Sequence, residues 1–292
     1  MRAPDATKQP TGLSLYTRAA EAASAEVIGA YSTSFGWAAK LLAEPIRTHV
    51  RNIYALVRVA DEIVDGVAAE ARGVNPKSEL NRLEAEIYDT LQTGFSTNLV
   101  VHAFAHTART TGFGRELVEP FFYSMRQDLT ARAHDQASFD RYVYGSAEVV
   151  GLMCLAAFIK FGERNYSLDE KRELARGAQA LGAAFQKVNF LRDLAADFQA
   201  LGRSYFPGVN VESFDQATRD RLVADIGADL SVSAGIVRQL PGSSRRAVAA
   251  AQGLFEALNE RIAVTPAEQL IAARISVPNS RKLLILLKAL FS

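Results

Sequence analysis

Two pairs of aspartates with the same spacing are the residues in this chain best suited to chemistry. Asp61 and Asp65 stand four positions apart, and Asp193 and Asp197 repeat that spacing. Residues four apart on a helix are neighbours on one face. Mg²⁺ prefers carboxylate and phosphate oxygens and keeps several waters, so a few protein ligands and a substrate anion complete its shell. Two such helices facing each other could therefore hold several Mg²⁺ ions against a diphosphate group.

The second pair lies on a helix that is predicted to be buried on most sides. At about 100° per residue, Gln186, Asn189, Asp193 and Asp197 form one narrow polar stripe. Mostly apolar residues fill the rest of the circumference. Carboxylates are costly to bury without cations or donors, so the stripe predicts a bound positive group. A solvated face is the common explanation of acidic stripes, but the apolar flanks disfavour it here.

The first pair is ambiguous when it is read alone. Tyr54, Arg58, Asp61 and Asp65 share a sector of about 60° on one helix. The opposite arc is apolar, so an ordinary amphipathic surface helix explains the segment as well as a metal site does. Both interpretations remain open at this point.

Taken together, the two stretches favour chemistry on a diphosphate. Metal ions would neutralise the charge that develops on a departing diphosphate, and Arg58 and Arg192 could donate charge-assisted hydrogen bonds to its oxygens. An allylic carbocation would remain. Apolar and aromatic walls would exclude water and stabilise that cation through ring faces, each contact contributing about 0.5–2 kcal/mol.

The elements that must position these residues are predicted to be helices throughout. Helix-period patterns dominate and alternating strand patterns are nearly absent, so the predicted fold is all-α. Ser167 and Glu170 have the spacing of a capping box, and Pro266 is predicted at a first helical position. We expect a disordered tail over residues 1–13 and one domain over 14–292. The predicted breaks between helices are residues 66–78, 93–97, 162–167, 202–213, 241–244 and 264–266.

Composition excludes several classes of function. The chain has 292 residues with 33 basic and 32 acidic side chains, so no overall field favours nucleic acid. The single cysteine, Cys154, excludes a disulfide framework and indicates a buried, inert thiol. No secretion signal and no run of eighteen apolar residues is evident, so we expect a cytoplasmic protein without a membrane-spanning helix. The final run, residues 281–291, could close the core, which we favour, or associate reversibly with the inner membrane surface.

Several motifs, in order and spacing, resemble those of the head-to-head prenyl synthases, a family that includes phytoene, squalene and dehydrosqualene synthases. The resemblance covers most of the chain and is closest to bacterial phytoene synthases. The motifs are Tyr31-Ser-Thr-Ser-Phe35, Asp61-Glu-Ile-Val-Asp65, Tyr142-Val-Tyr-Gly-Ser-Ala-Glu-Val-Val-Gly151, and Asn189-Phe-Leu-Arg-Asp-Leu-Ala-Ala-Asp197 followed by Gly202-Arg-Ser-Tyr-Phe-Pro207.

The resemblance implies an isoprenoid-synthase helical fold with a central cavity between the two acidic helices. It implies condensation of two allylic diphosphates through a cyclopropylcarbinyl diphosphate, with Mg²⁺, or Mn²⁺ in its place, and without NADPH. The implied metal-holding residues are Asp61, Asp65, Asn189, Asp193 and Asp197. The residues implied to contact diphosphate or steer the cation are Ser32, Ser34, Tyr54, Arg58, Tyr144, Gln186 and Arg192.

Three positions depart from the family pattern. Tyr31 stands where many relatives have histidine, and Ala196 stands where a glutamate is common. A tyrosine that some relatives carry near the last helix is replaced here by the segment Arg274-Ile-Ser276.

The sequence leaves alternatives for the product of the reaction and for the class of protein. We favour two geranylgeranyl diphosphates giving phytoene, with farnesyl diphosphate giving dehydrosqualene or squalene as the alternative. Some relatives are non-catalytic assembly factors, but those would be expected to lose parts of the aspartate motifs. A hydrolytic metal site at His102 and His106 is disfavoured, because no HExxH glutamate and no third ligand is evident. Gly145 and Gly151 are predicted to permit close helix approach.

Overall fold

A computed structural model describes residues 11–32, 34–162, 164–194, 205–272 and 274–290. Within those ranges every regular element is a helix, which confirms the predicted all-α class. The helices are α1 (Gly12–Tyr31), α2 (Ser34–Ala39), α3 (Ile46–Val64), α4 (Val67–Glu70), α5 (Pro76–Thr93), α6 (Leu99–Thr111), α7 (Arg115–Thr130), α8 (Gln136–Val143), a π-helical segment (Tyr144–Glu148), α9 (Val149–Lys160), α10 (Leu168–Arg192), a 3₁₀ turn (Val211–Ser213), α11 (Gln216–Val237), α12 (Gly242–Val264), α13 (Ala267–Leu270) and α14 (Asn279–Leu290).

Helix ends follow the sequence signals in part. Ser167 Oγ accepts from the Glu170 N–H and the Glu170 carboxylate accepts from the Ser167 N–H, so the capping box is confirmed. Pro266 precedes α13 as its N-cap, because its ψ of 141° is not helical, so the predicted first helical position was wrong by one residue. The predicted tail also overlaps a helix, since α1 begins at Gly12. Residues 1–10 lie outside the described ranges.

The predicted breaks locate most helix boundaries but not all of them. The short helix α4 lies inside the predicted break at residues 66–78. Residues 242–244 of the predicted break at 241–244 lie in α12. The connections at residues 40–45, before α3, 112–114, before α7, and 131–135, before α8, were not predicted. The first and the last lack a cluster of the glycine and proline residues on which the prediction depended, whereas the second contains two glycines and was missed.

Two large apolar clusters dominate the body of the molecule. In the first, α3, α5, α6, α7 and α9 bury side chains such as Leu56, Phe104 and Phe121. In the second, α8, α10, α11 and α12 bury side chains such as Val188 and Ile226. Helices α3 and α10, which carry the two acidic motifs, therefore contribute to different large clusters, and a smaller third cluster joins Val50 of α3 to Leu174 of α10.

Glycines let neighbouring helices approach closely. A Cβ added to Gly145 would lie 2.1 Å from the carbonyl oxygen of Pro120, and one added to Gly151 would lie 2.6 Å from that of Ala178. Both distances are far below van der Waals contact, so the predicted packing role of these two glycines is confirmed.

The run from α8 to α9 contains a π-helical turn that the sequence pattern did not predict. Its five residues, Tyr144–Glu148, sit in an otherwise continuous helical stretch from Gln136 to Lys160. A π turn changes which side chains face each neighbour, and such turns are frequent at functional sites.

The same stretch is long and apolar enough to cross a membrane, although we expected no such segment from the sequence. The core helix of a globular protein can have the same length and composition. Here Tyr142, Val149 and Met153 are buried in the two apolar clusters, and α9 packs against α3, α7 and α10. These contacts are those of a core helix.

The C-terminal run packs on the body of the molecule. Helix α14 lies against α12, and Ala289 is buried beside Ala38 and Ala250. The expectation that this run closes the core is confirmed for the part of it that the structure describes.

Candidate active site

An apolar cavity of about 700 Å³ lies among the helices. Helices α3, α9, α10, α11 and α12 supply most of its walls, and the segment that follows α13 contributes to one side. Aliphatic and aromatic residues predominate in the lining. The polar and charged lining residues, apart from Cys154, are Tyr54, Ser146, Asn189, Arg192, Ser233, Arg274, Ser276 and Lys282.

One face of α10 forms the longest wall. Its lining residues recur every three or four positions from Leu174 to Arg192, so they form a single stripe. At 1.5 Å per residue, this stripe is about 27 Å long. It is apolar from Leu174 to Phe185 and polar at Asn189 and Arg192, immediately before Asp193. The acidic motif therefore begins where the apolar wall ends.

Helix α3 repeats this arrangement. Val50, Tyr54 and Val57 line the cavity, and Asp61 follows Val57 by one helical turn on the same side. Asp65 is the C-cap of the helix. The helix face that carries the aspartates therefore continues a cavity wall, which favours the metal-site interpretation of this segment.

Both motifs include the residue that caps a helix C-terminus. Asp65 caps α3 and Asp193 caps α10. A helix C-terminus carries a partial negative charge, which disfavours a nearby carboxylate and attracts a cation. The sequence projection continued the second helix through residue 197, but α10 ends at Arg192. Asp197 lies outside the described residues, as does Ala196.

Asp61 lies in an environment that disfavours its ionised form. Burial raises the pKa of its carboxyl to about 8, and the neighbouring charge of Asp65 adds to that rise, while Arg58 opposes it and Asp128 contributes further. The side chain keeps some accessible surface, but the surrounding protein is dense enough to desolvate the carboxylate. Such an excess of negative charge fits a divalent cation, which would displace the proton.

Asp128 is a site residue that our sequence reasoning missed. It is buried on α7 and accepts hydrogen bonds from the hydroxyls of Tyr142, at 2.7 Å, and Tyr205, at 3.3 Å. The Tyr205 ring stacks on Phe190 of α10 at 4.0 Å. Asp128 therefore links the surroundings of the first acidic helix to the second. The sequence did contain a signal for Asp128, because this acidic residue lies three positions after the apolar Met125 and so falls on the apolar face of α7.

Asp193 has a different environment. Arg192 Nε lies 3.1 Å from each carboxylate oxygen, and Arg274 Nε lies 2.7 Å from Oδ1. Asp193 is therefore neutralised by two guanidinium groups in the protein alone. Arg274, which we noted only as a departure from the family pattern, is thus a second residue whose position the sequence did not reveal.

Arg58 is held near the first motif by two contacts. Its guanidinium pairs with Glu62 one turn along α3 and lies 4.5 Å above the Tyr31 ring. Its Nε is buried and, within the described residues, has no hydrogen-bond partner. This unused donor beside Asp61 is suited to an incoming anion.

We predict that Arg58→Ala weakens binding of the diphosphate substrate that the family resemblance implies. A charged hydrogen bond contributes about 1.5–3 kcal/mol, so KM should rise roughly 10- to 100-fold. Steady-state kinetics measure this effect. Arg82→Ala is the matched control, because Arg82 pairs with Glu79 on the exposed side of α5. An unchanged KM in Arg58→Ala would remove this residue from the binding site.

The remaining predicted contact residues are partly brought together. Tyr54, whose pKa is raised by burial, shares a side-chain hydrogen bond with Ser32, so these two lie side by side near Arg58. The backbone of Ser34 lies in α2, and its side chain is outside what the structure describes. Gln186 is half-buried on α10 but is not among the residues that line the cavity.

Tyr144 lies elsewhere than the resemblance implied. It lines a second cavity of about 500 Å³ together with Arg126 and Arg141, whereas Ser146 and Ala147 of the same π-helical segment line the main cavity. The π turn and the close approach of this segment to α7 explain the difference, because they fix which of its side chains face inward.

The alternative histidine site is not assembled. His102 is buried, its Nε2 lies 2.9 Å from Thr17 Oγ1, and its Nδ1 accepts from the Ser96 N–H. Its pKa is lowered by burial and by His106. Within the described ranges, no three histidine, cysteine or acidic side chains form a metal-holding group.

The thiol of Cys154 matches the prediction of an inert group. The residue is half-buried rather than fully buried, because it lines the main cavity. The apolar surroundings still desolvate the thiol and raise its pKa to about 12. The thiol therefore stays protonated and acts as an apolar wall residue.

Comparison with solved structures defines the class. A dehydrosqualene synthase in complex with a ligand aligns with a TM-score of 0.75 at 20% identity, covering 94% of this chain and 96% of that chain. A squalene synthase, HpnC, from Alicyclobacillus acidocaldarius aligns with a TM-score of 0.72 at 19% identity, covering 89% and 97%. The fold is therefore the terpenoid-synthase helical fold that the resemblance implied.

Sequence comparison then gives the family. The family model described as squalene/phytoene synthase matches residues 28–281, so this chain belongs to the squalene/phytoene synthase family. A 15-cis-phytoene synthase from Paracoccus sp. is 32% identical over 191 residues, 63% of this chain and 59% of that enzyme, so the match spans less than two thirds of that relative. A 15-cis-phytoene synthase from Pantoea ananas is 26% identical over 90% of this chain and 89% of the enzyme, and a 4,4'-diapophytoene synthase from Staphylococcus haemolyticus is 28% identical over 68% and 66%.

Proposed function

We propose that this protein catalyses the metal-dependent head-to-head condensation of two prenyl diphosphates, and that two geranylgeranyl diphosphates give the forty-carbon phytoene without a reductant. One observation carries the proposal. The cavity walls formed by α3 and α10 are apolar along most of their length and end in aspartates at the C-termini of both helices. Such a cavity suits a long hydrocarbon chain with a diphosphate at one end.

The aspartates fit the divalent metal that this reaction needs. Asp61, Asp65, Asn189 and Asp193 would hold Mg²⁺, as would Asp197 from outside the described residues. The raised pKa of Asp61 and the helix C-termini reflect the negative field that such an ion requires. When bound, the metal supplies charge neutralisation for the departing diphosphate. Arg58 and Arg192 donate hydrogen bonds to the same group.

The cavity walls protect the cation that remains. Phe185 and Phe255 line the cavity with their rings stacked at 3.7 Å, and Phe185 lies one turn from Asn189. Ring faces stabilise a carbocation by roughly 0.5–2 kcal/mol each, and the apolar lining excludes the water that would quench it. C1′ of one substrate can then join an alkene carbon of the other, and loss of a proton from C1′ closes the ring of a cyclopropylcarbinyl diphosphate. A second ionisation releases the remaining diphosphate and the ring opens and rearranges. Loss of a second proton then completes phytoene.

The cavity is long enough for either candidate substrate, so the choice between them rests on the relatives. From a carbon–carbon bond of about 1.5 Å, the extended main chain of a geranylgeranyl group is about 19 Å long and that of a farnesyl group about 14 Å. The α10 wall of about 27 Å accommodates either. Two relatives named as 15-cis-phytoene synthases favour the longer substrate, whereas the 4,4'-diapophytoene synthase relative keeps farnesyl diphosphate as the second candidate.

Product identification tests the proposal. The protein is incubated with Mg²⁺ and either geranylgeranyl or farnesyl diphosphate, with NADPH present or omitted, and the hydrocarbons are identified by mass spectrometry. We expect phytoene from the first substrate and no dependence on NADPH. Exclusive use of farnesyl diphosphate would overturn the substrate assignment. No product from either substrate would favour a non-catalytic relative.

A bulky residue midway along the α10 wall should shorten the substrate. Ala178 lines the cavity eleven residues before Asn189, which places it about 16 Å from that polar end. Ala178→Phe is therefore expected to reduce kcat/KM for geranylgeranyl diphosphate at least about tenfold, a cost of roughly 1.4 kcal/mol, while retaining use of farnesyl diphosphate. Retention of the shorter substrate is the internal control for folding. Equal losses with both substrates would contradict this placement.

A further inference from the structure

Arg274 connects one side of the cavity to the second acidic motif. The residue lies between α13 and α14, lines the cavity, and places its Nε 2.7 Å from Asp193 Oδ1. Arg192 contacts both oxygens of the same carboxylate from α10. One carboxylate therefore faces two guanidinium groups among the described residues, before any ligand binds.

The two acidic motifs therefore differ in how favourably each can bind a metal ion in the absence of other ligands. Asp61 lies beside Asp65 and Asp128 in a region of excess negative charge, opposed by Arg58. At Asp193 the carboxylate oxygens already accept from cations, and a divalent ion would have to displace at least one of them. Coulomb repulsion between the ion and the guanidinium groups adds to that cost. Metal alone should bind the first motif in preference to the second.

The ion pair between Arg274 and Asp193 can break easily, which allows Arg274 to bind another anion. Its side chain is 66% exposed, and exposed ion pairs contribute little to stability. A diphosphate carries more negative charge than one carboxylate and offers several acceptor oxygens to a guanidinium. Arg192, by contrast, is 21% exposed and lies next to Asp193 in the chain, so its contact is harder to break.

We propose that Arg274 makes metal binding at Asp193 conditional on diphosphate. In the free protein its guanidinium occupies Asp193, and when a diphosphate arrives the guanidinium moves to that group and leaves the carboxylate to the metal. The inference rests on the proposed function for the identity of the anion. Metal and diphosphate then bind cooperatively, and by linkage each raises the affinity of the other by the same factor.

Titration calorimetry of Arg274→Gln tests this coupling without any prenyl substrate. Mg²⁺ is titrated into the protein alone, and inorganic diphosphate is titrated at fixed free Mg²⁺. Loss of the guanidinium should increase the affinity of the second, weaker Mg²⁺ site roughly fivefold or more and decrease the affinity for diphosphate by a similar factor, at the lower end of ordinary coupling strengths. A merely structural role would weaken the binding of both ligands together.

Arg281→Gln is the matched control, because Arg281 forms an exposed ion pair with Glu260 on the neighbouring helix α12. It should leave both affinities unchanged. If Arg274→Gln leaves both affinities at wild-type values, or lowers both, the coupling proposal is overturned. The outcome is separable from the proposed function: opposite shifts in a protein that makes no hydrocarbon would support the coupling and reject the activity, and active enzyme with unshifted affinities would do the reverse.

Discussion

Asp61→Asn is expected to lower turnover by at least about 10²-fold while making the metal-free protein more stable. Mutating even a residue that hydrogen-bonds to a metal ligand typically lowers activity or metal affinity about 10–100-fold, and loss of the direct ligand that we propose Asp61 to be should cost at least as much. The gain in stability has a separate cause. The amide that replaces the carboxyl carries no charge, so the cost of ionising a group that burial and Asp65 hold protonated disappears.

The pH dependence of this gain has a definite sign. The carboxyl of Asp61 has a pKa of about 8 in the folded protein, against a value of 3.8 without that environment. Between about pH 4 and pH 8 the folded state therefore binds the extra proton, so stability falls as pH rises through this window and levels off above it. Asp61→Asn does not lose stability in this way. The difference in unfolding free energy between the variant and the wild type should therefore grow from about pH 4 to about pH 8.

Thermal unfolding in EDTA at several pH values measures this difference, and excess Mg²⁺ should reduce it by stabilising only the wild type. Asp89→Asn serves as the control, since it makes the same substitution at an exposed position on α5. If Asp61→Asn were less stable than the wild type at about pH 8 without metal, the excess negative charge assigned to this site would be refuted.

Gly182→Ala is expected to destabilise the fold by about 1–3 kcal/mol or more, the usual cost of overpacking. A Cβ at Gly182 would lie 2.6 Å from the carbonyl oxygen of Ala147 and 3.0 Å from Glu148 Cα, and backbone atoms cannot move aside as a flexible side chain can. The melting temperature should fall by roughly 2–4 °C per kcal/mol for a chain of this size. Activity should fall as well, because Gly182 and Ala147 both line the cavity.

Gly235→Ala provides the contrast. Gly235 is exposed within α11, and a Cβ there meets no atom within 4 Å. Because alanine favours a helix over glycine, this variant should gain roughly 0.4–1 kcal/mol. Chemical denaturation of the two variants would therefore show shifts of opposite sign. A neutral Gly182→Ala would mean that α10 and the π-helical segment do not pack as closely as described.

The sequence predicted the second acidic wall better than the first, for a physical reason. A helix buried on most sides restricts polar residues to one stripe, so the stripe on α10 indicated its own function. The residues of α3 alternate between a core face and a polar face, as those of any surface helix do. The cavity beside Val50, Tyr54 and Val57 is what distinguishes this polar face from that of an ordinary surface helix.

Other features depend on contacts between distant parts of the chain and could not be read from local patterns. Asp128 gains its role from Tyr142 and Tyr205, and Arg274 gains its role from Asp193, which lies much earlier in the chain. The π turn has no periodic signature, since it is a local change of register that neighbouring helices stabilise. The side chain of Tyr144 was consequently assigned to the wrong cavity.

That π turn contains one residue more than an α-helical turn, because its hydrogen bonds reach five residues along the chain instead of four. Five π-helical residues and four α-helical residues each turn the chain by slightly more than one full turn. Deleting one residue from Tyr144–Glu148 could therefore restore an α-helix whose two flanks keep nearly their present orientation. In a stretch that is already α-helical, the same deletion would rotate one flank relative to the other by about 100°. This segment is therefore the place in the run from Gln136 to Lys160 where the loss of one residue is most easily accommodated.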